Sequence, residues 1–122
     1  MKLELYYLEE TDSICSNRAV VTLAEKGITD WIAHKVVLVK GNPTLVMGKE
    51  RWVVASGGPE LATIGTGDVL GGLLAALWAR GLDGEVAARS AAYWHGVAGA
   101  DVARTGTVTA SRLVGAIGRY AW

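Results

Sequence analysis

From Asp68 to Gly81 the chain reads DVLGGLLAALWARG, a run whose apolar residues are too continuous for a helix lying on a surface. It is expected to form a helix buried on most sides, with Gly81 as its C-terminal stop. The rest of the chain must therefore build layers around one apolar rod. With 122 residues, 51% of them hydrophobic, there is room for one modest domain with a real core and not for two, so residues 1–122 are expected to form a single domain.

Strand and helix signals mix before Gly58, and helix signals dominate after Leu61. LELYYL predicts a short strand, and SNRAVVTLAEKG a helix with Ser16 as N-cap and Gly27 as stop. HKVVLVKG is a compact β-branched run ended by glycine, as in a buried central strand. TLVM and RWVVA flank the polar GKE, which predicts a hairpin. Beyond the apolar rod, Asp83 can cap GEVAARSAAYWHGVAGADVARTG, whose alanines and glycines would let a neighbouring backbone come close. Thr109 or Ser111 can cap a last helix through RLVGAIGRYAW. The result is an α/β chain: strands and a hairpin, followed by a helical C-terminal half. Trp78 and Trp94 fall on helices and are assigned to core packing.

Twelve basic residues balance twelve acidic ones, which suggests neither nucleic acid nor an anionic membrane as partner. Cys15 is the only cysteine, so no internal disulfide or cysteine-built zinc site can form, in keeping with a reducing cytosol. The first residues, MKLELYYLEETD, lack the basic flank and small-residue cleavage site of a signal peptide, and no apolar run reaches membrane-spanning length. A cytoplasmic location is expected.

The approach to the apolar helix carries the chemistry. The first N–H groups of a helix lack internal partners, and the helix dipole adds partial positive charge there. In GTGD, Gly65 and Gly67 remove side chains that would keep a phosphate oxygen away, and Thr66 offers a hydroxyl. Asp68 is either a helix-start carboxylate stabilised by the dipole or a base facing the reacting group. A second polar segment, Lys40, Gly41, Asn42, Pro43 and Thr44, follows the predicted strand, at the end where ligands of open α/β sheets lie. Taken alone, Lys40 would also suit a solvated strand end.

VVLVKGNPTLV, then LATIGTGDVLGGLLAALWARGL, then AAYWHGVAGADVA resemble, in order and spacing, the C-terminal portion of the NAD(P)H-hydrate dehydratase family, a ribokinase-like group. The resemblance runs from about Val36 to Ile117. It implies an ADP- or ATP-dependent enzyme that dehydrates hydrated NADH or NADPH, with Mg2+ assisting phosphoryl transfer. It also implies that Lys40 to Thr44 bind the nucleotide as the family's KG..T segment, with Gly65, Thr66 and Gly67 around the phosphates. Asp68 matches the aspartate that meets the hydrated nicotinamide and activates the hydroxyl to be phosphorylated. His95 falls in the family's HG.AG helix, where a packed core histidine is the plainer assignment, and His34 has less claim still.

Family chains are more than twice this length, so turnover by this stretch alone is an open expectation. Ile64 stands where the family carries a loop glycine and is expected to narrow the loop, and SGGPE replaces the usual TGNPG, placing Glu60 near the phosphates. Two other readings stay open: a different ribokinase-like small-molecule kinase, and a non-catalytic domain that self-associates. A homo-oligomer is expected because an apolar helix beside a partial sheet needs cover.

Overall fold

A computed structural model describes residues 36–120. The strand expected at LELYYL, the helix at SNRAVVTLAEKG, Cys15 and His34 lie outside the described residues. Three short strands, β1 (Val37–Val39), β2 (Thr44–Met47) and β3 (Arg51–Val54), form an antiparallel sheet in the order β1-β2-β3. The expected hairpin is β2–β3, closed where the Gly48 N–H donates to the Glu50 carbonyl at 2.9 Å. β1 was expected at the centre, but among the described strands it lies at an edge and is half-buried along its length. The cause is the turn after Lys40, which sends the chain straight back antiparallel and gives β2 the middle place. Along β2 the inward residues Thr44 and Val46 alternate with the outward Leu45.

Three helices follow: α1 (Thr66–Ala79), α2 (Gly84–Ala103) and α3 (Ala110–Ile117). α1 ends two residues before Gly81, which takes the left-handed φ of 97° that stops a helix at no steric cost. Asp83 caps α2 as expected, its carboxylate accepting from the Glu85 N–H at 3.1 Å. Thr109 caps α3, its hydroxyl oxygen accepting from the Arg112 N–H.

α1 is less enclosed than its sequence suggests. Leu70 and Leu73 are buried against α2 and α3, while Gly72, Ala75 and Ala76 are exposed. Among the described residues only one face of the rod is covered, because the other elements all pack on that side. α2 is the central element: Ala87, Ala88, Ala91 and Ala98 are each at most 1% exposed. Its small residues do let neighbours approach, as expected. Gly96 lies against the backbone of Ser56, and a side chain on Gly99 would meet Leu61 at 2.6 Å. The Ser56 hydroxyl donates to the Tyr93 carbonyl at 2.9 Å, fixing the segment after β3 onto α2. The hairpin is held from its other end by Glu85. That carboxylate accepts from the Lys49 N–H and the Trp52 indole, both at 2.7 Å, and the Trp52 bond leads in holding it below the usual carboxylate range.

Candidate anion site at the start of α1

Lys40 follows β1 directly, with its side chain buried. Its ammonium donates to the Leu61 carbonyl and to the Thr66 hydroxyl, each at 3.0 Å. It is thus a strut between the sheet and the glycine loop rather than a solvated strand end. The turn that follows exposes Gly41, Asn42 and Pro43, with a cis Asn42–Pro43 peptide. Thr44 closes it by donating its hydroxyl to the Gly41 carbonyl at 3.0 Å.

After a single 3-10 turn, Pro59–Leu61, the loop reaches Gly65, whose φ of 83° favours glycine. Thr66 is fully buried. Its one hydroxyl proton goes to the Leu61 carbonyl (2.6 Å) or the Thr63 carbonyl (2.8 Å), while its oxygen accepts from Lys40. The hydroxyl expected to face a phosphate is therefore turned into the protein. Its backbone carbonyl receives a third tie, from the His95 ring Nε2 at 2.7 Å. A carbonyl only accepts, so Nε2 carries the proton.

The N–H groups of this first turn divide into two sets. Those of Thr66 and Val69 donate to the Thr63 and Gly65 carbonyls, each at 3.2 Å. Those of Gly67 and Asp68 have no acceptor among the described residues. Asp68 itself is exposed at the mouth of the turn. α3 begins alongside, since a side chain on Gly65 would meet the Ala110 methyl at 3.1 Å.

One of the two departures expected to weaken the loop behaves otherwise. Ile64 is 89% exposed and points away from the loop interior, so it does not narrow it. The Glu60 carboxylate folds back to accept from the Gly58 N–H at 2.8 Å. Sequence reasoning grouped Lys40 to Thr44 with Gly65 to Asp68, and the Lys40 strut joins the two. It missed that Leu61 supplies the carbonyl both Lys40 and Thr66 use. A carbonyl has no sequence signature, although an apolar residue five before the threonine was available as a cue.

His95 is 3% exposed and confirms the core assignment. Burial away from water, helped by the Lys40 charge and opposed by the Thr66 bond, lowers its pKa to about 4, so it folds neutral. In the unfolded chain it would take up a proton near pH 6.5. Its share of stability is thus complete above about pH 6.5 and is lost as pH falls toward 4, by about 2 kcal/mol at pH 5. Urea unfolding at pH 8 and pH 5 should show this loss, and His95→Gln should flatten it. An unchanged pH slope in His95→Gln would assign the loss to other groups.

A small antiparallel sheet followed by three helices, with the strand-end lysine tied to the start of the first, defines an α/β protein. The chain superposes on the ADP/ATP-dependent NAD(P)H-hydrate dehydratase of Bacillus subtilis, crystallised with ATP and Mg2+, with a TM-score of 0.68 and 26% identity. That match covers 82% of this chain and 41% of the other. The chain belongs to the NAD(P)H-hydrate dehydratase family, whose model matches residues 11–119. It is 45% identical over 78 residues to an ADP-dependent (S)-NAD(P)H-hydrate dehydratase of Xanthomonas campestris, covering 62% of this chain and 27% of that one. It is 40% identical over 84 residues to a bifunctional NAD(P)H-hydrate repair enzyme of Moorella thermoacetica, covering 67% of this chain and 16% of that one. The matches thus span less than a third of these curated relatives.

Proposed function

We propose that this chain forms the nucleotide-facing part of an ADP- or ATP-dependent NAD(P)H-hydrate dehydratase, a lyase that returns hydrated NADH or NADPH to usable form. The observation that carries the reading is the pair of N–H groups at Gly67 and Asp68 without an acceptor among the described residues. Such groups at the positive end of a helix bind anionic oxygen; Asp68 is exposed there, while Gly67 is buried. Gly41, Asn42, Pro43 and Thr44 form the second wall. Thr66 and Lys40 serve from behind, holding the loop and adding positive potential beneath it.

Asp68 then stands where an acceptor hydroxyl would approach the bound phosphate. It takes the hydroxyl proton as the hydroxyl oxygen bonds to phosphorus, and ADP leaves from ATP, or AMP from ADP. The new phosphate ester departs with the electrons of its carbon–oxygen bond. The neighbouring ring carbon loses a proton and the ring double bond returns. No group of three His, Cys, Asp or Glu side chains that could hold a metal occurs among the described residues. Magnesium would thus be held chiefly by phosphate oxygens. Recovery of dihydronicotinamide absorbance from hydrated NADH, dependent on added ADP or ATP, tests the reading. Absence of both recovery and nucleotide binding would remove it.

No described helix is long and apolar enough to cross a membrane. Substrates that are dissolved dinucleotides fit a cytoplasmic setting without nucleic acid or membrane partners. We also infer pairing with a second copy through the outer sheet face. Leu45 and Val53 are register partners there and are 39% and 66% exposed. Light scattering should give a mass above that of one chain, and Val53→Lys should lower it. A monomer at high micromolar concentration would contradict the pairing.

A further inference from the structure

His95 lies on α2, outside the elements that line the anion site, and nothing in the proposed chemistry uses it. It is nevertheless tied to that site through one peptide bond. Its Nε2–H donates at 2.7 Å to the carbonyl of Thr66, and the same peptide unit carries the N–H of Gly67, which lacks an acceptor among the described residues. A peptide unit is planar, so fixing the direction of its carbonyl fixes the direction of its N–H. A carbonyl that accepts a hydrogen bond also polarises its amide, making the N–H a stronger donor. We propose that His95 is a positioning residue for the anion site, orienting and polarising the Thr66–Gly67 peptide so that the Gly67 N–H is presented to a nucleotide phosphate.

Four features make the tie effective. His95 and Thr66 are 3% and 0% exposed, so water does not compete for either group. The Thr66 side chain is held separately by Lys40 and the Leu61 carbonyl, so the peptide is gripped at two points and has little freedom to rotate. His95 is neutral at pH 7, which leaves a single N–H donor and adds no second buried cation beside Lys40. Gly96 and Gly99 keep this stretch of α2 close to Ser56 and Leu61, and so hold the imidazole within reach of the loop.

The inference rests on the nucleotide reading, and the test separates the two. ATP with Mg2+ is titrated into the 15N-labelled chain, following the Gly67 amide, for the native protein, His95→Leu and His95→Gln. Leucine removes the donor, whereas glutamine retains one. ATP should bind His95→Leu about 10-fold more weakly, with a diminished ATP-induced shift at Gly67. His95→Gln should recover binding to within about 3-fold of native. Equal binding by His95→Leu would overturn the positioning role alone, and equal weakening in both variants would reduce His95 to packing. Native protein that binds ATP without moving Gly67, or not at all, would overturn both the nucleotide site and this role. Should His95→Leu fail to fold, the native His95 Nε2–H resonance still decides. It should move downfield as ATP saturates, and a stationary resonance would overturn the proposal.

Discussion

Asp68→Asn is expected to reduce turnover of hydrated NADH by about 100-fold or more, equivalent to about 2.7 kcal/mol of barrier, while leaving the fold intact. Asparagine is tolerated at a helix start, so the loss of the dipole interaction should cost no more than about 1 kcal/mol of stability. The side chain is exposed and takes no part in the Lys40–Thr66–His95 ties, so its replacement should not disturb them. Nucleotide affinity should hold or rise, because a negative charge beside the phosphates has gone. The comparison requires turnover and ATP affinity on the same sample. Near-normal turnover in Asp68→Asn would return this residue to a purely structural role.

The second large effect concerns α2. Gly96→Ala should destabilise the protein by about 3 kcal/mol or more, because the added methyl would overlap the carbonyl and side chain of Ser56. Backbone cannot swing aside as a flexible side chain can, and the site is constrained from both directions. Gly57, next to Ser56, has a φ of 81°, and a side chain there would lie 2.8 Å from the Gly96 backbone. Any relief would push the segment after β3 outward, and with it Leu61, whose carbonyl anchors Lys40 and Thr66. Nucleotide affinity should therefore fall together with stability. Gly72→Ala is the control: nothing lies within 4 Å of its added methyl, and removing a helical glycine should leave stability unchanged or raise it by up to about 1 kcal/mol. Equal midpoints for the two variants in urea would contradict the close packing of α2.

Local chemistry was legible in the sequence where one residue type answers one geometric need. Gly81 stopping α1, Asp83 and Thr109 capping α2 and α3, and the GKE hairpin all belong to this kind. Relations between distant segments were less legible. HKVVLVKG reads as a central strand because its composition suits burial on both faces, yet the turn at Gly41 to Pro43 gives the middle of the described sheet to β2. The apolar rod reads as enclosed because hydrophobicity records what a helix tolerates, and not how many neighbours reach it. In the anion site, glycines and aspartate advertised themselves, but Thr66 did not reveal that its hydroxyl turns inward. Lys40 likewise gave no sign of burial, since the carbonyl that receives its ammonium comes from Leu61, 21 residues away. Those ties depend on tertiary packing, which spacing along the chain does not encode.

The account stands on one claim, that the start of α1 and the turn after β1 together receive a nucleotide phosphate. Titration of the 15N-labelled chain with ATP and Mg2+ addresses it most directly, residue by residue. The account predicts binding between about millimolar and tens of micromolar, roughly 4 to 6 kcal/mol, with the largest amide shifts at Gly67, Asp68 and the Gly41–Thr44 turn. Shifts confined to residues far from both loops, or none at millimolar ATP, would contradict it.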